Sequence, residues 1–521
     1  MRGAIAAGHP LTADAGARVL AEGGNAVDAC IGAAFASWVA ESPLTGPGGG
    51  GFMLVHRARD SSTRVLDFFV TLPGLGAQTR RAEDVEMTEI NVGYEPGGGT
   101  QIFYIGAASC AVPGMSAGLE EAHRAFGSRP WKTLIEPAIE LARGGVELSR
   151  EQAYLHAIVD LILRHSEEGR AIYSRNGERL VAGDRLVQAD LAGTLELIAS
   201  DGAAAITKGA LGRALCDHVR KNGGAITATD LADYRVIRRR PISIPFLGHE
   251  VDSNPPPSSG GVLVGYGLLL LDRLGVAGAA GSAEAMAQLV EIMREQNRAR
   301  AGSFVRHLYR GGLARRLHAD RSLQQAVERI RTGAPPGRAE VAGRGTTHIS
   351  VVDERGNAAS LSATIGAGSG VVVPGTGIHV NNMLGEFDLV GSTQPGARIT
   401  SMMAPSLVLK AGRPRLVVGS AGSVRLRGAI VQIIVNSVAH DLPVEDAIER
   451  PRIHLEEPQV QCEGGNDPAE LDRLESRGYD LVRWRRRNLY FGGAAAVEVR
   501  EGGTLGAAGD PRRGGAGVVV E

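Results

Sequence analysis

The chain has 521 residues and a formal net charge of −1, from 56 Lys and Arg against 57 Asp and Glu. That balance excludes a general electrostatic pull toward nucleic acid or an anionic membrane, and a 43% hydrophobic share excludes a disordered chain. Glycine fills 72 positions with no three-residue period, so it serves turns and close backbone approaches in a large core, not a collagen-like helix.

Residues 12–24 predict a helix with Thr12 as its N-cap and Gly23-Gly24 as its stop. A second, small-residue helix follows from Asn25 to Glu41. A glycine loop, TGPGGGG, then enters a strand over Phe52 to His56. It lacks the G-x-x-x-x-G-K-[ST] pattern of a phosphate loop, so tight backbone packing is the preferred reading. Residues 115–165 and 186–240 read as mainly helical. Beyond the proline step at Asn254 to Gly261, Met286, Leu289, Val290 and Met293 recur at helical spacing and predict a core face. The segment 326–345 holds Pro-Pro and several glycines and reads as an exposed loop. After it the chain turns to short β-rich segments.

Four scattered cysteines, Cys30, Cys110, Cys216 and Cys462, make neither a disulfide framework nor a zinc pattern, and no metal or cofactor is expected. The basic run Arg483 to Arg487 follows Asp472, Glu475 and Asp480 and reads as a solvated face. The N-terminus lacks the apolar core of a signal peptide, and the longest apolar run, Val262 to Leu271, is too short to span a bilayer. A cytoplasmic protein without membrane or nucleic-acid partners is the expectation.

At the change near 345 lies a hairpin. Thr346 to Asp353 has strand propensity, Glu354-Arg355-Gly356 makes a three-residue loop, and Asn357 to Ile365 returns. If Asp353 pairs with Asn357, Thr346 falls opposite Thr364, with two hydroxyls facing each other. A threonine hydroxyl needs a base to act as a nucleophile. A chain cut before Thr346 would supply one, because the new α-amino group has a pKa of about 7.7–8.0. The same pair also serves simply to stabilise a hairpin. His348 shares the strand but sits two residues on, which favours a structural hydrogen bond.

The blocks around this hairpin carry a resemblance. T-T-H-I-S-V-V-D-E-R-G-N-A-A-S and G-S-G-V-V-V-P-G-T-G-I-H-V-N-N-M-L-G-E-F resemble the γ-glutamyltransferase (γ-glutamyltranspeptidase) family of N-terminal-nucleophile hydrolases. So do GGNAVDA and GGGGFMLVH near the N-terminus, NPPPSSGG, SMMAPSLVL and GSAGSVRLRGAIVQIIVN, in family order over nearly the whole chain. The resemblance implies an α+β fold, a four-layer αββα sandwich. It implies a precursor that cleaves itself at Gly345–Thr346, so that 1–345 becomes a large subunit and 346–521 a small one. The two fragments stay associated as one sandwich domain, in place of the three or four domains that length alone suggests. It assigns Thr346 as nucleophile and Thr364 as its activating partner. Gly422-Ser423 stands where the family has a Gly-Gly oxyanion hole, and Ser keeps the N–H donor.

The substrate pocket departs from the family pattern. Phe69 occupies the position of the Arg that grips the glutamyl α-carboxylate, and a phenyl ring cannot replace bidentate charge-assisted bonds. Gly366 replaces an Asn, Met383 a Gln or Glu, Glu386 an Asp, and Ser401-Met402 a serine pair. Arg398, Arg425 and Arg80 are alternative sources of an anion site. The expected reaction is attack on a small-molecule amide, formation of an acyl-enzyme, and transfer to an amine or water. γ-Glutamyl transfer or glutathione hydrolysis is the first reading. An amidohydrolase for a non-glutamyl acyl group is the second, and a non-catalytic scaffold of the same fold is the third.

Overall fold

The computed structural model describes residues 2–76, 86–94, 100–333, 345–386 and 392–521. Thirteen strands build two antiparallel sheets. In chain order they are β1 (Gly3–Ala7), β2 (Gly50–Arg57), β3 (Ser62–Phe68), β4 (Ile237–Arg239), β5 (Ile242–Phe246), β6 (His249–Ser253), β7 (Thr347–Asp353), β8 (Ala358–Thr364), β9 (Ser406–Lys410), β10 (Arg413–Ala421), β11 (Gly493–Val499), β12 (Leu505–Gly509) and β13 (Ala516–Val520). One sheet has seven strands in the order β4-β3-β2-β8-β7-β1-β13; the other has six, β5-β6-β9-β10-β11-β12.

Strand alternation sorts the side chains into three apolar layers. Ala4, Phe52, Leu54 and Val352 of the first sheet meet Leu407, Val417, Ala495 and Val497 of the second. Their strand neighbours Ile5, Met53, Val55 and Val351 face outward onto helices α1 (Pro10–Ala21) and α2 (Ala26–Ala40). On the far side, Val408, Leu416, Val418 and Ala496 pack against α3 (Gly260–Leu274) and α4 (Arg425–Val438). The result is the expected helix–sheet–sheet–helix sandwich.

Local differences have local causes. α1 begins two residues before the predicted cap, because Pro10 suits a first turn and His9 Nδ1 accepts the Leu11 N–H at 3.1 Å. Thr12 is instead inside the helix. Asn25 and Glu41, expected as the first and last residues of the second helix, are its caps, and Asn25 forms a capping box with Asp28. The helix Asp320–Thr332 continues through residues expected to be loop, since Ala326 and Val327 extend the buried face begun by Leu323. Residues 334–344, the rest of that segment, lie outside the described residues. The helix Ala283–Arg300 buries Met286, Val290 and Met293. All four cysteines are buried and free, and Arg483 pairs with Asp472 and Glu475. No helix among the described residues is long and apolar enough to cross a membrane.

Candidate active site

The hairpin register is the predicted one. Thr347 pairs with Ala363 and His348 with Ser362, so Thr346 comes opposite Thr364. Gly356 takes the left-handed conformation, φ 77°, that its three-residue loop needs. Both threonines are buried, and both hydroxyls donate to one acceptor, the carbonyl of Gly345. The Thr346 Oγ1 distance is 2.8 Å; the Thr364 contact is the closer of the two. Thr364 Oγ1 also accepts the Gly366 N–H at 2.7 Å, which fixes the rotor so that its proton points at Gly345. Two donors on the carbonyl that precedes Thr346 withdraw electron density from its carbon.

Residues that the sequence did not single out hold this corner. Arg513 Nη1 donates to the Thr346 carbonyl at 2.9 Å. Thr347 Oγ1 donates to Glu41, whose other oxygen takes the Thr12 hydroxyl at 2.8 Å. Burial pushes the Glu41 carboxyl above its ordinary range, against the opposing effect of these hydroxyls and of Arg513. Gly8 is required beside it, because a Cβ there would lie 2.2 Å from Glu41 Oε2.

His348 is not the base. Its ring lies between the sheets, with Nδ1 2.8 Å from Ser362 Oγ and Nε2 3.0 Å from Ser350 Oγ. Gly419 leaves room for it, since a Cβ there would meet Cε1 at 2.2 Å. Burial pulls the imidazole down to about 3, so it stays neutral. The Thr346 hydroxyl donates to the Gly345 carbonyl and touches no titratable side chain among the described residues.

Gly422 and Ser423 join the end of β10 to the start of α4, with φ of 122° and 61°. Close approach to Gly492, whose Cα would lie 2.9 Å from an added Cβ, demands glycine at 422. Ser423 keeps its N–H but holds a left-handed backbone that costs a non-glycine residue roughly 1–2 kcal/mol. The Arg513 side chain connects this turn to Thr346. It passes 2.3 Å from where a Cβ on Gly493 would stand, and Gly493 is the register partner of Ala421.

The remaining predicted positions divide. Phe69 and Met383 are fully buried in the layer between the sheets, where Phe69 stacks on Phe52 at 5.4 Å. Gly366 and Glu386 are neighbours: a Cβ on Gly366 would lie 3.3 Å from Glu386 Oε1 and 2.0 Å from Asn382 Oδ1. Ser401 Oγ accepts the Met403 N–H at 3.0 Å, while the Ser401 carbonyl takes the hydroxyls of Ser258 and Ser259. Met402 points the other way, into the outer helical layer, apart from Phe69 and Met383. Of the arginines, Arg398 is spent on Asp67 at 3.1 Å, the Tyr234 hydroxyl and three carbonyls. Arg80 lies outside the described residues. Arg425 sits 4.3 Å from the Tyr490 ring centre and 5.3 Å from that of Tyr94.

Comparison with known proteins agrees with this geometry. The profile of the family described as gamma-glutamyltranspeptidase matches residues 12–520. An acylase ACY 1 proenzyme of Pseudomonas sp. (strain SE83) is 34% identical, covering 97% of this chain and 91% of that protein. A glutathione hydrolase proenzyme of Escherichia coli (strain K12) is 31% identical, covering 98% and 90%. The crystal structure of a cephalosporin acylase from Bacillus halodurans shares the fold, with a TM-score of 0.83 at 24% identity over 100% of this chain and 96% of that one. The γ-glutamyltranspeptidase of Helicobacter pylori gives 0.53 at 27% identity, covering 63% of this chain and 91% of that one.

Proposed function

Because the chain belongs to the γ-glutamyltranspeptidase family, we propose that it cleaves itself at Gly345–Thr346 and then uses Thr346 for acyl transfer of the glutathione hydrolase type. The observation that carries this reading is the convergence of the Thr346 and Thr364 hydroxyls on the Gly345 carbonyl. In the first step Thr346 Oγ1 forms a bond to the Gly345 carbonyl carbon, and Thr364 stabilises the oxyanion. The C–N bond then breaks, its nitrogen takes the hydroxyl proton, and an ester remains. Water hydrolyses that ester to a Gly345 carboxylate and a free Thr346 amine.

In turnover the amine takes the Thr346 hydroxyl proton as Oγ1 attacks the substrate amide. The backbone N–H groups of Gly422 and Ser423 receive the new oxyanion. The leaving amine departs protonated, and water or a second amine releases the acyl group. Residues 1–345 and 346–521 remain together through the shared sheet.

A second reading, an acylase for non-glutamyl amides, is favoured by one observation: Phe69 stands at the carboxylate-gripping position and is buried against Phe52. Two measurements test these readings. On a denaturing gel, fresh wild type is expected as two fragments and Thr346→Ala as one; an uncut wild type, inactive on every amide, refutes the nucleophile assignment. Turnover of γ-glutamyl-p-nitroanilide is then compared with that of a panel of simple amides. Robust γ-glutamyl turnover eliminates the second reading, and its absence beside active hydrolysis of another amide eliminates the first.

A further inference from the structure

The charges buried around Thr346 sort into groups, and one pair joins the two segments on either side of Gly345. Asp510 bonds Arg452 at 2.7 Å and Arg512 at 3.0 Å, and Glu463 bonds Arg512, so these four balance one another. Arg425 faces Glu456. Arg513 faces Asp510, which is already bonded twice, and Glu41, which holds no other cation among the described residues. Glu41 and Arg513 also line one cavity of about 20 Å³ with Gln152 and His156. That is room for a single bridging water.

Each member of this pair grips the start of β7 at a different point. Arg513 Nη1 donates to the Thr346 carbonyl at 2.9 Å. Glu41 accepts the Thr347 hydroxyl through one oxygen and the Thr12 hydroxyl, at 2.8 Å, through the other. Two donated hydroxyl bonds favour the ionised carboxylate. Glu41 is also rigidly mounted, as the C-cap of α2, every residue of which is buried. It precedes Gly345, whereas Thr346, Thr347 and Arg513 follow it. A cut at Gly345 would therefore leave these contacts holding a free chain end.

We propose that Glu41 and Arg513 are a positioning pair that holds the Thr346–Thr347 peptide for cleavage and turnover, with Arg513 keeping the freed amine unprotonated. The inference rests on the acyl-transfer reading above, in which that amine takes the Thr346 hydroxyl proton. Arg513 sits on the carbonyl of Thr346 itself, whereas Glu41 sits on the side chain of the next residue. The nearer charge dominates at the α-nitrogen, and a nearby positive charge disfavours the ammonium form. The other titratable groups facing this corner are Glu151 and His156 across the cavity, Glu386 beyond Gly366, and Tyr94, Asp510 and Arg425 around Arg513. The variants below leave them unchanged.

The test follows kcat/KM against pH for the amide that processed wild type turns over fastest in the panel above. Its acid limb reports the base of the free enzyme. In wild type the midpoint is expected below the value of about 7.7–8.0 of an ordinary α-amino group. Arg513→Met is expected to raise it by about half a unit or more, and Glu41→Gln to lower it; lost packing alone does not move midpoints in opposite directions. On a denaturing gel both variants are expected to be cut at least about tenfold more slowly, and Arg513→Lys to recover most of the loss. If Arg513→Met does not fold, Glu41→Gln and wild type decide; if a folded variant stays uncut, the lysine recovery and the wild-type midpoint decide. A wild-type midpoint at or above about 8, variant midpoints that stay put or move together, or a lysine variant cut no faster than the methionine one overturns the pair while leaving acyl transfer standing. A wild type that neither splits nor hydrolyses any amide overturns the acyl-transfer reading, and the pair with it.

Discussion

Replacing Thr364 by Val tests the division of labour at the scissile peptide. Valine keeps the branched shape and removes the hydroxyl, which makes two contacts. As an acceptor it satisfies the Gly366 N–H at 2.7 Å, and an orphaned buried donor costs about 1–3 kcal/mol. As a donor it binds the Gly345 carbonyl, where the proposed attack by Thr346 would develop negative charge. Loss of one such oxyanion donor slows a reaction by about 10²–10³-fold. Thr364→Val is therefore expected to fold, with a lowered melting temperature, and to process about a hundredfold or more slowly. Thr364→Ser, which keeps both contacts, is expected to stay within about tenfold of wild type. A denaturing gel over time gives the uncut fraction, and circular dichroism confirms folding. A folded valine variant that is cut at the wild-type rate would refute the assignment of Thr364 to this carbonyl.

Three further outcomes follow from named contacts. Gly366→Asn, which restores the family residue, is expected to destabilise by about 1–3 kcal/mol, because its Cβ would lie 2.0 Å from Asn382 Oδ1; an unchanged denaturation midpoint contradicts this. Ser423→Gly relieves the left-handed backbone at φ 61° and is expected to stabilise by about 1 kcal/mol, read as a raised melting temperature, whereas a fall would show that the serine side chain outweighs the strain. Burial holds His348 at about 3 and His379 at about 4, below the ordinary 6.5. The unfolded chain therefore binds these protons first as pH falls, so their contribution is intact above about pH 6.5 and is lost toward pH 4, at about 1.4 kcal/mol per pH unit for each histidine. Urea unfolding of the uncut Thr346→Ala protein at pH 7 and pH 5 reads this loss, and His348→Asn should flatten it; equal slopes in the two proteins would count against it.

The hairpin was legible because its information is local. One loop of known length, with Gly356 free to take φ 77°, sets the register and brings Thr346 opposite Thr364. Arg513 was not legible. It follows Arg512 in GDPRRGG, and nothing in that run distinguishes the residue spent on Glu463 and Asp510 from the one that reaches Thr346. Glu41 looked like a helix end, and its link to Thr347 spans 306 positions. Ser401 and Met402 read as a pair, yet adjacent residues in extended chain face opposite ways, and the two layers receive them separately. The four layers followed from the resemblance, whereas the placement of β1 between β7 and β13 joins strands from both ends of the chain.

That placement sets how the protein would fail if it were cut as proposed. β1 and β2 precede Gly345, whereas β7, β8 and β13 follow it, and β1 is hydrogen-bonded on both edges to strands of the later segment. A scission at Gly345 leaves two chains interleaved in one sheet, so neither can leave without dismantling it. Unfolding a single covalent chain is reversible in principle; after the cut, recovery requires two dilute partners to meet before either aggregates. Loss of the fold then becomes a one-way event, and the working lifetime is governed by the height of the unfolding barrier more than by the equilibrium free energy.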